Sequence, residues 1–142
     1  MSEQDVELVR GVYEETYRAE EWKRLLPLYH PDLVYHPRAD EPDAHVHHGR
    51  GSFERLISGW MDAFAEISFD VLDVFEAGGC VVASTVLNGR GGASGVEVSD
   101  PYVFVVKLRD GLILETWEYK TLAEALQALG ERRQDAGRSS SR

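Results

Sequence analysis

The second half of the chain, from residue 68 to residue 120, consists of four stretches rich in β-branched and aromatic residues. They are SFDVLDVFE (68–76), CVVASTVLN (80–88), VEVSDPYVFVVKL (96–108) and LILETWEYK (112–120). Residues of these types favour β-strands. Turn-forming segments separate the stretches, among them Asp110-Gly111, which is typical of a hairpin. Four strands joined by hairpins predict a mainly antiparallel sheet.

The first half of the chain predicts helices. Apolar residues recur at helical spacing, and the predicted segments are a helix over 3–20, a short helix over 21–30, a short strand over 32–36 and a helix over 52–67 capped by Ser52. A last helix over 122–130 is expected to end at Gly130, since glycine commonly follows a helix end. Helices followed by a block of hairpin-joined strands indicate the α+β class.

One domain is predicted, over residues 1–130. The chain has 142 residues, which suits a single hydrophobic core. Residues 131–142 contain four arginines, three serines, and no apolar residue larger than alanine. Such a segment buries little apolar surface, so we expect a disordered polar tail.

Charge and composition exclude several function classes. The net charge is −10, whereas nucleic-acid binding requires a basic surface. No apolar run approaches the roughly 20 residues of a membrane span, and the polar N-terminus does not resemble a signal peptide. The single cysteine, Cys80, lies in an apolar run and is expected to be a buried, inert thiol. We therefore expect a cytoplasmic protein that binds neither nucleic acid nor membranes.

Residues 34–50, VYHPRADEPDAHVHHGR, contain four of the five histidines. If the stretch is extended, His45 and His47 lie on one side, at a spacing that can chelate a transition metal. A third ligand would then come from His36, Asp43 or Glu118. No cysteine accompanies the histidines and the helical HExxH motif is absent, so no metal is expected.

Two other interpretations of this loop stay open. Its histidines could face solvent in an ordinary connection. Alternatively, His36, His47 or His48 could reach over the mouth of a pocket as an acid or a base, because histidine titrates near neutral pH.

Four segments carry a resemblance to a known superfamily: LYHPDLVYHP (28–37), HGRGSFERLISGW (48–60), GRGGASGVEV (89–98) and RDGLILETWEYKTLAEALQALG (109–130). Together with the element order, they resemble the nuclear transport factor 2-like superfamily, which includes ketosteroid isomerases, limonene-type epoxide hydrolases and SnoaL-like polyketide cyclases. The resemblance implies a cone-shaped fold, in which a curved sheet wraps around helices. It also implies an internal cavity for a small hydrophobic molecule, often in a homodimer and without a cofactor.

The resemblance implies particular site residues as well. The epoxide hydrolases place an inward carboxylate at about the position of Glu118 and an inward tyrosine at about Tyr35. They also need an Arg and an Asp on the strand that here reads VVASTVLN, and both are missing. The catalytic aspartate of the ketosteroid isomerases would fall at Pro37, although His36 is adjacent.

Strand alternation supplies further candidates, because every second side chain of a strand lies on one face. The predicted inward residues are Asp100, Tyr102, Phe104, Val106 and Leu108 on one strand, and Leu112, Leu114, Thr116 and Glu118 on the next. Two carboxyl groups in one apolar cavity raise each other's pKa, so Asp100 and Glu118 could act as acid and base. The alternative is that both serve as rim or structural carboxylates.

Aromatic side chains complete the list of candidates. We expect the pocket to be lined by Tyr13, Tyr17, His47, Trp60, Tyr102, Phe104 and Thr116, and expect Glu118, Asp100, Tyr35 and His36 to be catalytic. For the tyrosines, core packing with the hydroxyl at the wet end is the competing interpretation. Trp117 and Tyr119, on the opposite face of their strand, are candidate dimer contacts.

These features favour a cofactor-free enzyme that acts on a hydrophobic small molecule by acid–base chemistry, such as a cyclase, isomerase, dehydratase or epoxide-opening enzyme. A non-catalytic small-molecule binding protein is the first alternative. A protein-interaction module on the same scaffold is the second.

Overall fold

The computed structural model describes residues 3–15, 19–41 and 44–140, and its side chains are described except at 15, 19–21 and 135–140. The elements are α1 (Glu3–Glu15), a 3-10 helix (Ala19–Leu28), β1 (Tyr29–His36), β2 (His47–His48), α2 (Gly49–Ala63), β3 (Phe64–Ala77), β4 (Cys80–Gly91), β5 (Glu97–Arg109), β6 (Leu112–Tyr119) and α3 (Leu122–Ser140). The helix predicted over 3–20 is confirmed to Glu15, and Tyr17 lies outside the described residues.

The strands form one curved, unclosed sheet in the order β2-β1-β6-β5-β4-β3. Only β1 and β6 are parallel among the described pairings, so the predicted α+β class and the mainly antiparallel sheet are confirmed. Strand β2 was not predicted, because two residues inside a polar loop carry no strand pattern. It pairs antiparallel with β1, with His47 opposite Tyr35.

Helices α1 and α2 cover the inner face of the sheet. The buried helix residues recur at helical spacing, and they are Val9, Val12 and Tyr13 of α1 and Phe53 and Ile57 of α2. Tyr13 stacks on Phe104 of β5, with ring centroids 4.1 Å apart. The main core therefore lies between these two helices and the sheet.

Helix α3 packs on the outer face of the same sheet. Thr121 caps the helix: its hydroxyl accepts a hydrogen bond from the backbone N–H of Glu124 at 3.1 Å and donates one to the Glu124 carboxylate. Ala125 and Leu129 then join a second apolar cluster with Val82 and other outward residues. No helix among residues 3–15, 19–41 and 44–140 is long and apolar enough to cross a membrane.

The expected helix end at Gly130 is wrong. Helix α3 continues past Gly130 to Ser140. Glycine ends a helix mainly by adopting a positive φ, and Gly130 does not do so here. The division into a domain of residues 1–130 and a tail stays a prediction.

A β-bulge in β6 corrects the alternation predicted for this strand. Lys107 pairs with Glu115 and Leu108 with Ile113, so Leu114 has no partner on β5. Ile113 is therefore buried in the main core in line with Thr116 and Glu118. The inward positions predicted for Leu112 and Leu114 are wrong, because the extra residue shifts the alternation by one.

The start of α2 also differs from the prediction. The helix begins at Gly49, whose φ of 84° lies in the region that favours glycine. His48 occupies the capping position without a side-chain cap. Ser52 lies inside the first turn, and its hydroxyl contacts His47 Nδ1 at 2.8 Å.

Candidate functional site

Tyr35 and Glu118 form a buried hydrogen-bonded pair on the inner face of the sheet. Strands β1 and β6 are neighbours, and the Tyr35 hydroxyl donates to Glu118 Oε2. The backbone N–H of Arg38 donates to the other oxygen, Oε1, at 3.1 Å. The two residues that the resemblance aligned with functional positions are thus in direct contact.

The environment of Glu118 favours its protonated form. Burial raises the pKa of this carboxyl from its ordinary 4.5 to about 7, and the charge of Glu41 adds to the increase. Hydrogen bonds from Tyr35 and Arg38 act in the opposite direction, because they stabilise the carboxylate. A carboxyl with a pKa of about 7 can both accept and donate a proton at neutral pH.

Three polar side chains lie in one row across neighbouring strands. Tyr35 pairs with His47 of β2 on one side and with Thr116 of β6 on the other, so the three share the inner face. His47 Nε2 and Thr116 Oγ1 are buried without a hydrogen-bond partner among the described residues. Burial lowers the pKa of His47, and the charges of His45 and Arg55 lower it further, which favours the neutral imidazole.

Asp100 does not lie beside Glu118, contrary to expectation. Phe104 is the residue of β5 that pairs with Glu118, and Asp100 is four residues earlier, about 13 Å away along the strand. Its side chain is 35% exposed and forms an ion pair with Arg38 Nη1 at 3.4 Å. This placement favours the alternative of a rim or structural carboxylate, and the catalytic role of Asp100 stays a prediction.

Arg38 and Glu41 are site residues that the sequence reasoning missed. The guanidinium of Arg38 is bound by Asp40 in a bidentate fashion, at 2.9 and 2.7 Å, and also donates to the carbonyl of Pro101 at 2.9 Å. Glu41 accepts a hydrogen bond from the Tyr102 hydroxyl. The charged residues of PRADE (37–41), directly after β1, were the available signal in the sequence. They could not be assigned to the site, because Arg38 and Glu41 contact residues of β5 and β6 that are far away in the sequence.

His36 faces away from the Tyr35–Glu118 pair, and its expected catalytic role stays a prediction. Consecutive strand residues lie on opposite faces, and His36 lies on the outer one. Its Nε2 atom contacts Glu115 Oε2 at 2.6 Å, and its ring stacks on Trp117 with centroids 5.1 Å apart.

The remaining predicted pocket residues contribute to the main core. Tyr13, Tyr102, Phe104 and Thr116 are buried, and Trp60 packs edge-on against Tyr102 at 6.0 Å. Burial raises the pKa of the Tyr13 phenol well above its ordinary value. Their role in lining a ligand site stays a prediction, as does that of His47.

Among the described residues, no group of three or more His, Cys, Asp or Glu side chains is placed to hold a metal ion. The rings of His45 and His47 lie 4.3 Å apart, so the proposed pair does come together. Asp43, one of the suggested third ligands, lies outside the described residues. Glu118 is engaged with Tyr35 and Arg38 instead.

A cleft of about 430 Å³ lies where β1 and β6 end. Residues 36–40 and 117–120 line it, together with Glu124 at the start of α3. Its volume is within the range of small-molecule sites. Arg38 both lines this cleft and binds the Glu118 carboxyl, so one residue connects the cleft with the buried pair.

Family comparison gives the same assignment as the fold. The family model for the SnoaL-like domain matches residues 9–116, which is most of the chain. This chain belongs to the SnoaL-like domain family. The predicted membership of the nuclear transport factor 2-like group is thereby confirmed. No curated protein matches the sequence significantly.

Solved structures of this fold are similar to the SnoaL-like chain. A proposed SnoaL-like polyketide cyclase from Jannaschia sp. CCS1 superposes with a TM-score of 0.72 at 21% identity, covering 89% of this chain and 91% of that one. IdmH, a proposed polyketide cyclase from Streptomyces antibioticus, gives 0.68 at 21% identity, with 81% and 90% covered. A hypothetical protein with a ketosteroid isomerase-like fold from Catenulispora acidiphila gives 0.69 at 16% identity, with 82% and 86% covered. At these identities the similarity establishes the fold alone.

Proposed function

We propose that this SnoaL-like protein binds a small hydrophobic molecule and transfers a proton to or from it through Glu118. The observation that carries the proposal is the buried carboxyl with a pKa of about 7, held by Tyr35 on the inner face of the sheet. Strongly shifted carboxyl groups with a specific partner are concentrated at catalytic sites. The chemistry suits cyclisation, isomerisation, dehydration or epoxide opening.

The hydrogen bonds of Glu118 do not occupy all of its acceptor positions. Each carboxylate oxygen has two acceptor positions, and each accepts one hydrogen bond from the protein. One acceptor position on each oxygen is therefore free for a proton or a substrate hydroxyl. Tyr35 fixes the orientation of the carboxyl and can relay a hydrogen bond to a substrate oxygen. No cofactor is needed, because side chains supply the proton donor and acceptor.

The segment 37–41 is the proposed access route. It lines the cleft at the ends of β1 and β6, and the backbone N–H of Arg38 within it donates to the Glu118 carboxyl. A substrate bound in the cleft would reach a free acceptor position of the Glu118 carboxyl, because Glu118 itself lines the cleft. The proposed substrate is apolar apart from one oxygen function, because the core around Glu118 is largely aromatic.

The proposal is tested by hydrogen exchange at carbon. A panel of hydrophobic ketones is screened for binding by thermal stabilisation, and each ligand is then incubated with the enzyme in D₂O. NMR measures deuterium uptake next to the carbonyl. Glu118→Gln should reduce the exchange rate by about 10²-fold or more, because general acid–base catalysis contributes at least this much. Tyr35→Phe should reduce the rate less. Glu97→Gln, which changes an exposed carboxylate of β5, is the matched control.

The dependence of the rate on pH identifies the form of Glu118 that acts. A rate that rises with pH through about 7 indicates the carboxylate as base, and a rate that falls indicates the carboxylic acid. Exchange that is equal in the wild type and Glu118→Gln removes Glu118 from the mechanism. Binding of ligands without any exchange favours the alternative of a non-catalytic binding protein, in which Glu118 only anchors the segment after β1.

A further inference from the structure

The outer face of the sheet carries a second cleft that is separate from the Tyr35–Glu118 pair. It has a volume of about 380 Å³ and lies between α3, the Gly78-Gly79 turn, β5 and β6. Lys107 of β5 and both Arg132 and Arg133 of α3 line it. The cleft is large enough for a small molecule.

Basic side chains outnumber acidic ones in this cleft. The chain as a whole has a net charge of −10, yet three cationic side chains meet here. None of the three forms an ion pair with a described side chain, whereas Arg10, Arg38 and Arg90 do. The acidic residue of the cleft, Glu115, is already bound by His36 at 2.6 Å. The local field therefore attracts anions.

Arg132 is held in a fixed orientation. Its guanidinium lies over the Trp117 ring, 4.0 Å from the centroid, and Nη1 donates to the Tyr119 hydroxyl at 2.6 Å. The second terminal nitrogen, Nη2, is buried without an acceptor among the described residues. A guanidinium that is already oriented loses little side-chain entropy when it binds an oxyanion.

We propose that this cleft binds the phosphate or carboxylate group of a small acidic molecule. The oxyanion lies among Lys107, Arg132 and Arg133, and balances the excess of basic side chains there. Leu129, which also lines the cleft, offers apolar contact to the rest of the ligand. The site is independent of the chemistry proposed at Glu118.

Titration of the full chain with two probes tests the proposal. Inorganic phosphate and citrate are added separately at constant ionic strength, with sodium chloride as the balancing salt, and ¹H–¹⁵N spectra are recorded. The expected result is a saturable shift of the amides of Gly78, Gly79 and residues 129–133. The tighter of the two probes identifies the ligand group as phosphate or carboxylate.

Substitutions show whether the named cations are responsible. Lys107→Gln and Arg132→Gln should each weaken binding roughly tenfold, which corresponds to the loss of one charge-assisted hydrogen bond. Arg109→Gln is the matched control, since it removes an exposed charge from the same strand outside the cleft. Lys107 is exposed, so its variant tests the site even if Arg132→Gln disturbs the packing of α3. Shifts that do not saturate, or equal weakening by Arg109→Gln, would overturn the proposal.

Discussion

Glu118 has a side chain only 3% exposed, yet it keeps two hydrogen-bond donors, Tyr35 and Arg38. Burial alone would make its charged form very costly. The two donors reduce this cost, and the result is a pKa of about 7 rather than a permanently protonated acid. At the scale of single residues, the candidate site is therefore a balance between desolvation and two directed hydrogen bonds.

This balance predicts how stability depends on pH. Folding raises the pKa of Glu118 from 4.5 to about 7, so in this window the folded chain holds a proton that the unfolded chain has released. The contribution of Glu118 to the free energy of unfolding is therefore complete below pH 4.5 and is lost as the pH rises. For a shift of this size the loss is roughly 3 kcal/mol.

Glu118→Gln isolates this contribution, because glutamine does not titrate. The stability of the variant relative to the wild type should increase by the same amount as the pH is raised. Urea denaturation of both proteins across the window measures the difference. A difference that does not change with pH would contradict the raised pKa.

At the scale of elements, the two faces of the sheet are covered by different helices. Helices α1 and α2 cover the inner face, and α3 covers part of the outer face through Ala125 and Leu129. The Gly78-Gly79 turn fits against α3, because a Cβ atom at Gly78 would lie 2.8 Å from Arg133 Cδ and 3.1 Å from Leu129 Cγ. The position of α3 thus depends on a glycine in a hairpin far away in sequence.

Two leucines of α3 test this packing. Leu129 is 5% exposed and Leu126 is 42% exposed on the same helix. Leu129→Ala should lower the free energy of unfolding by about 2 to 3 kcal/mol, because it leaves a cavity against the outer face. Leu126→Ala, the matched control, should change it by less than ~0.5 kcal/mol. Equal effects in urea denaturation would mean that α3 does not pack in this orientation.

At the scale of the whole molecule, Trp117 and Tyr119 of the outer face contact other residues of the same chain and are also the predicted dimer contacts. Trp117 is held between His36 and Arg132, and Tyr119 accepts a hydrogen bond from Arg132. Both aromatic residues remain only partly buried. A second copy of the chain would complete their burial, so the predicted homodimer stays compatible with this face.

Sedimentation equilibrium of the full chain measures the oligomeric state. The chain has a mass of 16.0 kDa, so the predicted dimer has a mass of 2 × 16.0 = 32.0 kDa. Burial of apolar surface drives such association, and it should persist at high salt, which screens charges. A mass of one chain across the concentration series would refute the prediction.

The sequence by itself determined the secondary-structure elements that depend on residues close together in the chain. Hairpin turns and β-branched runs are local signals, so the four long strands and the helices before them could be predicted. The resemblance added Glu118 and Tyr35, whose contact the structure contains. The helix end expected at Gly130 was wrong because packing on the outer face, including the stacking of Arg132 on Trp117, lies beyond a local signal.

Tertiary structure decided what depends on register between distant strands. The bulge at Leu114 sets which residues of β6 face the core, and the β5 register places Asp100 far from Glu118. The two-residue strand β2 puts His47 beside Tyr35, and Arg38 reaches Glu118 across 80 positions in the sequence. No local pattern encodes these pairings, because each arises from hydrogen bonds and packing between segments that meet only in the folded chain.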